Sequence, residues 1–170
     1  MTLSEIRERA IAPALALLPA RMNSPQAEIM LLAIGLQESE FTHRRQMGNG
    51  PARSFWQGER GGGMVAGVRT HETTEKHAAL LYCTRSVEPN NEAIWKAIEH
   101  DDVLAAGLAR LLLWSDPLPL PETHEVDEAF DLYLRTWRPG AYTRGTEEER
   151  AKLETKWRRN FAAAVREVVR

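Results

Sequence analysis

Residues 31–63 read LLAIGLQESEFTHRRQMGNGPARSFWQGERGGG, and the fold turns on how this stretch divides. Its first third is an apolar helical run that closes on Glu38-Ser39-Glu40-Phe41. Beyond it, His43 to Gly63 has little helical periodicity and many glycines, which reads as loop with a short hairpin. Upstream, Asn23-Ser24-Pro25 is a strong helix start. Ser24 can accept from an early amide, and Pro25 suits the first helical position, where a missing N–H costs nothing. Between start and end, Ala27, Met30, Leu31 and Ile34 mark one face, while Ile29, Leu32, Ala33 and Leu36 fill the others. A helix apolar on every face is a buried one. Gly35 costs helix stability inside it, and close packing at that point is the expected reason.

Outward from this centre the chain reads as further helices. Residues 3–20 form an amphipathic helix that Pro13 should kink or split. Thr73 or Thr74 starts a helix carrying Ala78, Leu81 and Tyr82, and Asn90-Asn91 caps a short one carrying Ile94, Trp95 and Ile98. Asp101-Asp102 opens a helix that runs to Trp114. Residues 116–121, with three prolines, make a rigid connector. A helix over 125–137 places Val126, Phe130, Tyr133, Leu134 and Trp137 on one face and stops at Arg138-Pro139-Gly140. Thr146 with Glu149 is a capping box for the last helix, 147–169. The expectation is a mainly α fold: one helical domain over residues 1–170, with a loop-rich insert at 42–72.

The bulk composition is that of an ordinary globular chain, 43% hydrophobic and 27% charged with a net charge of -2 over 170 residues. Near-neutrality makes a nucleic-acid partner a poor expectation. No apolar run approaches the ~20 residues of a membrane span, and the N-terminus, with Glu5, Glu8 and Pro13, does not read as a secretory signal. The expected place of synthesis is the bacterial cytoplasm, with no export address. A single cysteine, Cys83, excludes an intramolecular disulfide and reads as a small helix-core residue. No Cys/His spacing suggests a metal, and no cofactor is expected.

Glu38 is the residue most able to carry chemistry. Two readings are open from its context: a helix-end glutamate in solvent or paired with Arg44 or Arg45, or an acid at the edge of the core that desolvation keeps protonated. A neutral carboxylic acid can protonate a leaving oxygen, as glycosidic cleavage requires. Glu40 points elsewhere on the helix, toward water, and Ser39 reads as a local cap. His43-Arg44-Arg45 with Arg53 forms a basic cluster that could contact carboxylates or solvate the loop. Phe55 and Trp56 beside Gln57 could stack a sugar face while the amide binds an acetamido group, or one ring could be core. Trp95, Trp114 and Trp157 sit at helical core spacing.

The elements Glu38-Ser39-Glu40-Phe41 and Gly50-Pro51-Ala52-Arg53-Ser54-Phe55-Trp56-Gln57 resemble the signature of soluble lytic transglycosylases and related lysozyme-fold enzymes. That signature is Glu-Ser-Gly-Phe at a helix end, then Gly-Ala-x-Gly-Leu-Met-Gln. Residues 102–114 resemble the family's later helix, and Tyr133 is the nearest counterpart of the tyrosine in its Ala-Tyr-Asn-x-Gly element, which is not literally present. Here Glu40 and Ser54 stand where the motifs have glycine, and Phe55-Trp56 replaces Leu-Met. The chain also resembles short phage-encoded proteins carrying Gly-Pro-Ala-Arg-x-x-Trp-Gln and a later Trp-Arg-Pro-Gly, here Trp137 to Gly140.

The resemblance implies a lysozyme-like fold acting on peptidoglycan glycan strands at the MurNAc-GlcNAc bond. Glu38 would be the catalytic acid/base, and Ser39, Arg53, Ser54, Phe55, Trp56, Gln57 and Tyr133 would be the substrate-binding set. A hydrolytic muramidase would need a second carboxylate, for which Glu59 is the candidate although it could pair with Arg53 or Arg60; a lytic transglycosylase needs Glu38 alone. The expected setting is a phage or prophage particle that opens the cell wall. The rival expectation is an inactive lysozyme-fold structural protein of a phage tail or head-tail connector.

Overall fold

The computed structural model describes residues 1–48 and 50–170. It is mainly helical, with no strand among the described residues. A Thr2–Glu5 capping box starts α1 (Leu3–Ile6), which continues through a π-helical turn (Arg7–Ile11) into α2 (Ala12–Ala16). The Ala12 amide bonds to the Arg7 carbonyl five residues back. Pro13, which offers no N–H, therefore follows a wider turn rather than a break in the rod. The helix expected over 3–20 ends at Ala16, and a 3₁₀ turn at Ala20–Met22 leads to α3 (Pro25–Ser39).

Ser24 caps α3 by accepting from the Ala27 amide at 3.1 Å. From Ala27 to Gly35 every residue except Glu28 is buried, as an all-round apolar sequence demands. A second buried helix, α7 (Asp102–Trp114), is capped by Asp101 and buried without interruption from Leu104 to Leu113. Around these two lie α5 (Glu75–Thr84), α6 (Asn91–Ala97), α8 (Val126–Trp137), α9 (Gly140–Thr143) and α10 (Glu147–Val168). One continuous hydrophobic cluster, from Ile6 to Ala164, joins all of these except α9. The last helix, α10, lies along α3, where Asn160 donates to the Gln37 side chain at 2.9 Å and Lys156 to the Gln37 carbonyl at 2.9 Å.

The insert expected at 42–72 is shorter than its sequence suggests. Residues 42–48 and 50–62 lie in a folded loop with hairpin-like bonds, Ser54 N–H to Arg44 O at 2.8 Å and Gly58 N–H to Arg53 O at 2.7 Å. Among the described residues these give isolated bridges, Arg45–Arg53 and Arg53–Gly58, and no strand. From Gly63 the chain is helical again, as a π-turn (Gly63–Gly67) running into α4 (Val68–Thr70). Burial of Met64, Val65 and Val68 overrides the weak helix propensity of a glycine-rich segment. Cys83 is exposed, not core: the buried face of α5 is Ala78, Leu81 and Tyr82, and Cys83 lies a further ~100° round the helix. No helix among the described residues is long and apolar enough to cross a membrane.

Candidate active site at the end of α3

Glu38 sits in the last turn of α3, half-buried. The Tyr133 hydroxyl, from α8, donates to its Oε1 at 2.7 Å. Burial pushes the Glu38 carboxyl up to about 7; the Tyr133 bond and the Lys156 ammonium act in the opposite direction and do not cancel it. With Oε1 accepting from tyrosine, Oε2 is left to carry the acidic proton. Tyr133 is 1% exposed, and its ring stacks on Trp157 with centroids 4.9 Å apart. Burial, then the charge of Glu38, raises its phenol well above its usual range. It therefore stays a neutral donor while Glu38 titrates. The arrangement is a carboxyl poised near neutrality, held by a fixed hydroxyl, which suits general acid–base work.

The backbone just after Glu38 turns the following loop back onto α3. Glu40 ends α3 in the left-handed region at φ 53°, and Phe41 follows at φ 52°. This doubles the chain back so that the Phe41 ring lies on Gly35, where any Cβ would fall 2.2 Å from its Cζ. Ser39 does more than cap: its hydroxyl lies 2.7 Å from the Phe55 carbonyl, to which it donates, and it accepts from the Phe41 amide at 3.2 Å. Ser54 and Gln57 are also left-handed, at φ 71° and 52°. Glu40 and Ser54, the two residues that stand where the resembled motifs carry glycine, thus both hold the conformation glycine favours.

The structure reassigns much of the expected substrate-binding set. Trp56 is fully buried and donates its indole N–H to the Leu31 carbonyl at 2.9 Å, and Phe55 is 3% exposed. Both rings pack edge-on against Phe41, at 5.5 Å for Phe55 and 5.9 Å for Trp56. Neither has a free face for a sugar. Ser54 is fully buried, its hydroxyl accepting from the Trp56 amide at 3.2 Å.

Arg53 lies 3.5 Å above the Trp95 ring and pairs with Glu99 at 2.9 Å. Arg45 also pairs with Glu99, and Arg44 with Asp102. The two arginine partners of Glu99, Arg45 before Arg53, hold its carboxyl below the usual range. Arg44, Arg45 and Arg53 are thus anchors tying the loop to the α6–α7 corner, while His43 and Arg45 also face solvent.

Gln57 remains half-exposed, with its amide donating to the Ser54 carbonyl at 2.7 Å. Glu59 is exposed. The arginines expected beside it are engaged elsewhere, Arg53 with Glu99 and Arg60 with Glu92 at 2.8 Å. Among the described residues Glu59 has no ion pair.

Lys156 escaped the sequence reading, and Trp137 entered it as a helix-face residue without its link to the loop. Lys156 pairs with Glu40 at 3.3 Å and places its charge beside Glu38. Trp137 donates to the Trp56 carbonyl at 2.8 Å and so ties α8, the helix of Tyr133, to the loop. Lys156 lies more than a hundred residues downstream of Glu38, and no local pattern joins them. Trp137 stands in the Trp-Arg-Pro-Gly element, the signal by which the sequence marked it. Beside Glu40 an open groove of about 570 Å³ runs along α10, lined by Lys152, Lys156 and Arg159 among others. Comparison of the chain with family models, with curated proteins and with solved structures finds no match.

Proposed function

We propose that this chain is a peptidoglycan-cleaving protein of the lytic transglycosylase type, on a lysozyme-like helical fold, in which Glu38 is the only catalytic carboxyl. The observation that carries this reading is the Glu38 carboxyl itself, raised to about 7 and held at 2.7 Å by Tyr133. The left-handed backbone of Glu40 and Ser54 supports the motif resemblance at the two points where the residues depart from it.

In the proposed reaction the Glu38 proton passes to the glycosidic oxygen as the C1–O bond of the muramoyl residue breaks. The Glu38 carboxylate then takes the proton of that sugar's C6 hydroxyl while its oxygen bonds to C1. The product is a 1,6-anhydro sugar, no water is consumed, and Glu38 is protonated again. Tyr133 orients the carboxyl and stabilises its charged form between the two steps. A hydrolytic route would bring in Glu59. The setting we favour is a phage or prophage particle that opens the wall locally.

A second reading is favoured by the burial of Phe55 and Trp56 and the pairing of Arg53. With these engaged internally, the loop offers little sugar-binding surface, as an inactive structural protein of a tail or connector would allow. Release of soluble muropeptides from purified sacculi separates the two. The enzymatic reading expects release by wild type and a rate about 10²–10⁴-fold lower for Glu38→Gln. Equal, negligible release by both folded proteins supports the structural reading.

A further inference from the structure

Away from Glu38, a groove of about 610 Å³ opens where the 3₁₀ turn, the start of α3, the end of α7 and the proline connector meet. Arg110 lines it from α7. This side chain is 2% exposed, its Nε donates to the Met22 carbonyl at 2.9 Å, and its Nη1 has no hydrogen-bond partner and no solvent contact. No carboxylate pairs with it among the described residues. Burial lowers its guanidinium to about 10, so it is still charged at neutral pH. A buried cation without a counter-charge is costly, and an anion that supplies one is correspondingly favoured.

Three further features of the groove suit an anion. Arg21 is exposed and lines the groove, and its guanidinium lies 5.5 Å from the Trp114 ring centroid, against 5.3 Å for Arg110. Two cations thus converge on one indole. Ser24 brings the N-terminal end of the fifteen-residue α3 to the same wall, adding the positive end of a helix dipole. Asp116, the one acid of the lining, is engaged by Arg135 at 2.9 and 3.2 Å. Its charge still weighs against a dianion. The remaining wall is apolar, with Leu118 58% exposed on the rigid connector.

We propose that this groove binds a monocarboxylate carried on a small apolar body, the carboxylate facing Arg21 and Arg110 and the body lying against Trp114 and Leu118. The site is independent of Glu38 and of any activity there.

The test follows the Trp114 indole N–H resonance, assigned with Trp114→Phe, in the full chain. Hexanoate, acetate, inorganic phosphate, N-acetyl-glycyl-leucine and N-acetyl-glycyl-leucinamide are titrated in turn. The expected result is saturable shifts with hexanoate and the free-acid peptide, several-fold weaker binding of acetate, and none with the amide. Tighter binding of the peptide than of hexanoate would point to a chain terminus as the source, and the reverse to a free acid. Arg21→Gln should weaken hexanoate about tenfold. Arg110→Met, which removes the unpaired charge, should abolish binding while leaving thermal stability equal or higher. Absence of saturation by every carboxylate, tighter binding of phosphate than of hexanoate, or unchanged binding by both arginine variants would overturn the proposal.

Discussion

Burying the Glu38 carboxyl at the end of α3 makes its protonation part of the stability of the fold. Its pKa is about 7 in the native state against an ordinary 4.5, so the native chain holds a proton that the unfolded chain releases between those values. The sign follows from linkage: this contribution is complete below pH 4.5, declines as pH rises, and is gone above about 7. The loss amounts to about 3 kcal/mol. Glu38→Gln keeps an acceptor for Tyr133 but cannot ionise. It should match wild type at pH 4, exceed it by about 2–3 kcal/mol at pH 8, and flatten the decline between, as read by denaturant unfolding. A variant weaker than wild type at pH 8 would contradict the burial argument. Tyr133→Phe removes the bond that favours the charged form while keeping the stack on Trp157. The Glu38 carboxyl resonance should then titrate at higher pH than in wild type; an unchanged or lower midpoint would show that the 2.7 Å bond has no energetic weight.

At the scale of elements, α3 and the loop after it form one unit because Gly35 admits the Phe41 ring. A methyl group there meets that ring at 2.2 Å, so Gly35→Ala must displace Phe41 and with it the edge contacts to Phe55 and Trp56. Alanine improves helix propensity by about 1 kcal/mol, yet overpacking a filled core costs about 1–3 kcal/mol. Net destabilisation of up to about 2 kcal/mol is expected, measurable by thermal or chemical unfolding, and a stabilised variant would refute the packing role of Gly35.

The sequence showed that a glycine in this helix needed a reason. It did not show that both rings of Phe55-Trp56 turn inward, because alternation assigns neighbouring side chains to opposite faces. Residues 54–57 instead form a turn, left-handed at Ser54 and Gln57, to which strand alternation does not apply. The acids that neutralise Arg44, Arg45 and Arg53 lie more than forty residues downstream, so the cluster looked free.

For the whole molecule, what was legible followed the caps and the all-apolar run. Ser24, Asn90, Asp101 and Thr146 each cap the helix their spacing announced, and the run apolar on every face became the buried helix α3; that α7 is buried as fully was not read. What escaped was structure set by tertiary packing. The π-turn at Gly63–Gly67 and the four-residue α9 have weak helix propensity. The Glu38–Tyr133 bond spans 95 residues, and only the motif resemblance, not periodicity, paired them.

In the proposed function Glu38 acts alone as acid and base on a glycan. Mass spectrometry of the muropeptides formed when wild type or Glu38→Gln is incubated with intact peptidoglycan tests it most directly. Anhydromuramoyl ends formed by wild type, with none formed by the variant, are the predicted result. Reducing ends from wild type would contradict the single-carboxyl route and bring Glu59 forward. No products from either folded protein would contradict catalysis itself.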